Sequence, residues 1–227
     1  ALTTAQVKAL TVATLQKLEV ADVAVLGSAQ VGALTAAQVR ELTTAQVGAL
    51  STTALPGLST GAVAAFTSVQ AGALSTAQLG VLGSAQVGGF STAAIGGLGT
   101  SVSAFGSAQV TGLTSAQLNV LTAPQVTALT TAQVASFTTA QVSTLSTQTI
   151  SRFEVADVQA LTTGQIVALT TAQMGGFTTG QIQGLTTTQV VALETSDIVA
   201  LTDTQAAAFT TAQTSVMSTA QSNALFM

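Results

Sequence analysis

The sequence predicts an all-α solenoid of short, roughly two-turn helices, one in every eight residues. Three observations carry that expectation. An octapeptide period runs the length of the chain, a helix-capping signature recurs at one place in each octad, and an apolar pair three residues apart spans each joint.

The period is read from the large apolar residues. Leu2, Leu10, Leu18, Leu26, Leu34, Leu42, Leu50 and Leu58 are spaced by eight, and the series continues through Phe66, Leu74, Leu82, Phe90 and Leu98. A single seven-residue unit, 98–104, slips the phase. It resumes at Phe105 and holds through Leu113, Leu161, Phe209 and Met217 to Leu225. Residues 1–227 thus read as one array of 28 units with the consensus L-T-T-A-Q-V-x-A. Position 1 is always Leu, Phe or Met. Position 2 is Thr, Ser or Gly in 25 units and Glu in three; position 5 is Gln in 19 and Asp in three. Position 6 is Val, Leu, Ile or Met in 23, position 8 is mostly Ala or Gly, and position 7 varies as a solvent-facing site would.

A continuous helix cannot use this period. Eight residues at about 100° each advance about 800°, so the Leu stripe would drift about 80° per octad. The helix must break once per unit, and the break has a chemical cause. Thr or Ser at position 2 with Gln at position 5 is a capping box, as in Thr3 with Gln6, Thr43 with Gln46 and Ser75 with Gln78. Gly27 and Gly83 are also acceptable cap residues, and Pro124 falls in a first turn, where its missing N–H costs little. The position 6 residue and the next unit's Leu share a face, and the small residue at position 8 lets helices approach closely. A helix this short is marginal alone, so the units must stack. The alternative is a β-solenoid, favoured by Thr and Val. Strict strand alternation would split positions 1 and 6 onto opposite faces and leave the capping box unexplained.

Departures from the pattern are few. The short unit has Ser103 where Val is expected, amid Gly88, Gly89, Gly96, Gly97, Gly99 and Gly106. It reads as a tolerated deletion that bends the stack, with a hinge or docking seam as the sharper reading. Pro56-Gly57 marks an early helix end. Thr214 and Ser222 occupy the apolar position 6 near the C-terminus, as a terminal cap or a junction with a further segment would.

Composition excludes most chemistry. The chain has no Cys, His, Trp or Tyr, which removes disulfides, Cys or His metal sites and any Ser-His-Asp triad. Lys8 and Lys17 are the only lysines for a Ser-Lys pair, so no enzyme is expected. Four basic residues against eight acidic, with a pI near 4.3, cannot form a nucleic-acid footprint. No apolar run of about 20 residues interrupts the Thr/Gln pattern, so no transmembrane segment is expected.

The few charges cluster. Lys17 stands near Glu19 and Asp22, Arg40 beside Glu41, and Arg152 near Glu154 and Asp157; the 110 residues between Glu41 and Arg152 carry none. Glu194, Asp197 and Asp203 have no basic neighbour in sequence. Three units replace the Thr/Gln pair with Glu and Asp together: Glu19/Asp22, Glu154/Asp157 and Glu194/Asp197. Acids in a first turn suit the helix dipole, and paired carboxylates are also candidate calcium ligands, the one cofactor the sequence admits. Phe at position 1, in seven units at uneven intervals, reads as core filling.

The runs LTTAQVGAL, LTTGQIVAL, LTSAQLNVL and FEVADVQAL resemble octad repeats in large secreted or surface proteins of Gram-negative bacteria. The resemblance covers the whole chain and implies an extracellular, adhesin-like or fibre-forming role without catalytic residues. Ala1 is not an initiator Met and no signal peptide is present, so a processed product or an excised fragment is expected. The expected function is structural, that of a fibre subunit or surface stalk partnering with itself. Leu2, Leu225, Phe226 and Met227 are the candidate self-association residues at ends without polar capping units. The alternative is a surface-, glycan- or ice-binding module using the repeated Thr and Gln.

Overall fold

The computed structural model describes residues 2–226, and among them there is no strand. Each of the 28 octads forms one helical segment, giving 26 α-helices and two 3-10 helices. The β-solenoid alternative is excluded. A helix is commonly five residues long, and with its two cap residues it occupies about two turns.

The capping chemistry operates as the spacing requires. Thr43 is extended (φ −70°, ψ 158°), its hydroxyl accepts the Gln46 N–H at 3.1 Å, and Gln46 Oε1 accepts the Thr43 N–H at 3.0 Å. Thr3 with Gln6 and Ser75 with Gln78 form the same reciprocal pair. At Gly27 and Gly83, only the backbone half of the box is made, each N–H donating to Oε1 of Gln30 or Gln86. Pro124 lies in the first turn of Ala123–Thr127, and Pro56 shortens its octad to the 3-10 helix Leu55–Gly57. The joints need no left-handed residue: Gly99 (φ 53°) alone among the described residues has positive φ. Position 8 therefore tolerates β-branched Val25, Val81 and Val120 as well as Ala and Gly.

The chain divides into two compact units, one up to Ala128 and one from Leu129. The divide falls between two regular octads, away from the short one. Within each unit the octads wind into stacked turns, tied by the position 5 glutamine. In the first unit, Gln38 Nε2 donates to the carbonyls of Val7 (2.8 Å) and Leu10 (2.9 Å), and Gln46 Nε2 to those of Leu15 and Leu18. In the second, Gln173 Nε2 reaches Val142 and Leu145, and Gln189 reaches Val158 and Leu161. The acceptors lie 31 and 28 residues upstream. The helix body packs on the one three octads upstream, as Thr92–Gly97 does on Ser68–Gly72. One turn therefore holds between three and four octads.

A buried position 5 glutamine such as Gln173 closes two helix ends at once. Its Oε1 takes the N–H of its own cap residue, and its Nε2 hydrogens satisfy carbonyls where a helix of the preceding turn ends. Positions 1 and 6 supply the apolar interior: Val31, Val47, Leu79, Leu118 and Ile166 are fully buried, and Leu42 and Leu161 nearly so. The phenylalanines belong to it, with Phe66 against Phe90 (6.0 Å between centroids) and Phe137 against Phe153 (6.2 Å).

The short octad corrects one expectation. Val102, and not Ser103, takes the apolar place: it is buried and accepts the Phe105 N–H at 3.2 Å, while Ser103 is exposed. The deletion lies in the first half of the octad, which becomes the 3-10 helix Gly99–Ala104. Across it the ladder shortens by one residue and stays in phase, Gln109 Nε2 donating to Leu79 and Leu82, 30 and 27 residues upstream. Within the glycine-rich tract beside it, Gly97 packs directly on the Ser68 backbone. Near the C-terminus, Ala206, Thr214 and Ser222 at position 6 are part-exposed, whereas Ile198 is buried.

Candidate functional site

Two features depart from the uniform array: the Glu/Asp octads, and the outermost octads at the N-terminal edge of the first unit and at the C-terminal edge of the second. In the Glu/Asp octads the Glu is the extended cap residue and the Asp stands at the third helical position, so each pair meets at one helix start. Asp22 Oδ2 accepts the Glu19 N–H at 3.3 Å and Asp157 Oδ2 the Glu154 N–H at 3.1 Å. Glu19, Glu154 and Glu194 are exposed. Asp22 is exposed too, in the third octad, but Asp157 and Asp197 are each only 2% exposed because they fill the buried glutamine position. Among the described residues no three His, Cys, Asp or Glu side chains converge, so the calcium candidates remain separate pairs.

Burial dominates the chemistry of both buried acids. It raises the Asp157 carboxyl above the usual carboxylate range; the Glu154 N–H opposes this and the Glu154 charge adds to it. It raises Asp197 likewise, helped by the Glu194 charge and opposed by the Glu194 N–H. A carboxyl whose folded pKa exceeds its unfolded one binds more protons when folded. Its contribution is fully present below the unfolded value, about 4, and is lost as pH rises through the raised folded value. In a chelating buffer, the thermal midpoint is expected to rise as pH is lowered from 7 towards 4, and Asp157→Asn with Asp197→Asn should flatten that slope. A midpoint falling over this range in both proteins would contradict the assignment.

The outermost octads leave parts of the repeat pattern uncovered. At the N-terminal edge of the first unit, Leu2, Leu10 and Leu18 are half-buried and Gln6 and Asp22 exposed, around a depression of about 510 Å³ lined by Leu2, Leu18, Val25, Leu26 and Gln30. At the C-terminal edge of the second unit, Leu201, Met217 and Leu225 are half-buried and Phe226 is 82% exposed. Met227 lies outside the described residues. No helix among the described residues is long and apolar enough to cross a membrane.

Sequence reasoning found the capping half of the glutamine's role and missed the other half. A capping box uses only Oε1, so the two Nε2 hydrogens of a repeatedly conserved column within one chain needed acceptors, and that was the available signal. The family model described as the ALTTAQ repeat matches residues 15–52, 44–76, 72–100 and 150–187, together more than half of the chain. The chain belongs to the ALTTAQ repeat family. Two of the three Glu/Asp octads of this ALTTAQ array lie inside matched stretches, and the Glu194/Asp197 octad lies outside them. Comparison with the curated proteins and with the solved structures gave no match.

Proposed function

We propose that this ALTTAQ array is a non-enzymatic structural protein, the subunit of an extracellular fibre or stalk that joins to further copies of itself. The supporting observation is the direction of the glutamine ladder. The position 5 Nε2 groups of Gln38, Gln46, Gln173 and Gln189 donate to the preceding turn, so the N-terminal edge of the first unit offers the exposed amide of Gln6 and the C-terminal edge of the second offers carbonyls. A second copy presenting its C-terminal edge would continue the same ladder, a heterologous contact of the kind that builds open filaments. Exposed Phe226 at one edge and the half-buried Leu2 and Leu18 beside the depression at the other are the apolar groups such a contact would cover. The extracellular placement rests on the resemblance of the octads to secreted repeat proteins.

Electron microscopy of the purified chain tests the reading. Uniform filaments are expected, with an axial repeat near the roughly 10 Å spacing of packed helices. Leu225→Asp with Phe226→Asp should abolish them while leaving helical content unchanged. A monodisperse monomer that instead shows thermal hysteresis or retention on an immobilised glycan would overturn the filament reading in favour of a binding module.

A further inference from the structure

We propose that octad 193–200 carries a site for a hard divalent cation of the calcium class, formed by Asp197 and Glu194 with the main-chain carbonyls of Ile166 and Leu169. Asp197 occupies a glutamine position and is buried, and its Oδ2 has no hydrogen-bond partner. The glutamines on either side define what lies beneath it. Gln189 Nε2 donates to Val158 and Leu161, and Gln205 Nε2 to Met174 and Phe177, at the same register of 31 and 28 residues. That register sets Asp197 over the carbonyls of Ile166 and Leu169. Where Gln189 and Gln205 place a donor, here oxygen meets oxygen. An aspartate is one methylene shorter than a glutamine, which leaves room for an ion at Ca–O distances of about 2.4 Å.

The sequence supplies an independent observation. Glu at position 2 and Asp at position 5 occur only together, in all three instances. Like charges three residues apart on a helix repel, so their coincidence calls for a positive partner. In two octads a basic residue, Lys17 or Arg152, stands two residues before the Glu; in the third, Ala192 stands there. The helices packed on Thr195–Val199 are Thr171–Met174 and Thr219–Leu225, and neither contains a charged residue. A cation at this octad must come from solution. The donors are carboxylate and carbonyl oxygens only, a set that suits calcium with waters completing the shell and does not suit metals that prefer nitrogen or sulfur.

The full chain, stripped of metal and titrated with CaCl₂ by calorimetry, is expected to bind one ion, with a thermal midpoint several degrees higher at saturation. Asp197→Gln restores the ladder donor, so that variant should stay folded and bind none. Glu194→Thr, which returns an exposed cap to the consensus, should weaken binding at least tenfold. No binding by the unaltered chain, or undiminished binding by Asp197→Gln, overturns the site. So does a midpoint that responds to acid alone and not to calcium, because the buried oxygen would then be satisfied by a proton.

Discussion

Gln173→Leu is expected to destabilise the second unit by about 2–4 kcal/mol, the cost of stranding several buried polar groups at once. Gln173 Oε1 accepts the Thr170 N–H at 2.7 Å, and its Nε2 donates to the Val142 and Leu145 carbonyls, each at 2.7 Å. Leucine fills similar volume but pairs with none of them. The matched comparison is Gln6→Leu, at an exposed position where the side chain closes only its own cap through the Thr3 N–H. That change should cost about 1 kcal/mol, the ordinary value of a lost cap. Arrays of this kind unfold in parts, so hydrogen exchange at the amides of 138–174 reads the effect better than a global melt. Equal protection losses at the two sites would mean that the ladder contributes nothing beyond capping.

The second large effect comes from neighbouring glycines in one helix, Thr92–Gly97. A Cβ built on Gly97 would stand 2.1 Å from the Ser68 carbonyl oxygen in the turn below, whereas one on Gly96 meets nothing within 4 Å. Gly97→Ala must push apart Thr92–Gly97 and Ser68–Gly72 and is expected to cost about 1–3 kcal/mol. Gly96→Ala gains helix propensity with no steric cost and should stabilise by about 0.5–1 kcal/mol. Opposite signs from the same substitution at adjacent residues, measured by denaturant unfolding, are the expected outcome. If both stabilise, the backbone contact at Gly97 is not close.

The helical octad was legible because one residue pair, as in Thr43 and Gln46, names both the start of the helix and the reason for the break. Leu at position 1 and Val at position 6 were legible as core for the same reason, since their three-residue separation has meaning only on a helix. The number of octads per turn was not legible: the sequence period is eight whatever the turn holds, and only the long-range partners of Nε2 reveal it. Val102 was misplaced because a count from Leu98 fixes the apolar residue by its distance from the start, whereas the structure fixes it by the three residues to Phe105. Among the Glu/Asp octads, nothing in the residues themselves separates Asp22 from Asp157 and Asp197. The motif is the same, and what differs is whether the array buries it.

The non-integral turn has a mechanical consequence. The start of each helix, where its glutamine sits, lies over the joint between two octads of the preceding turn, as Gln38 lies over the joint between Val7 and Leu10. This is the running bond of a brick wall, in which no seam continues from one course to the next. A tear following the weak, irregular residues between helices would meet an intact helix at every layer and have to cross it or turn aside. Were a turn a whole number of octads, the joints would align into columns and the wall would split along them. The stagger spreads a local load over neighbouring courses, so a material of five-residue helices, each too short to stand alone, can resist tension.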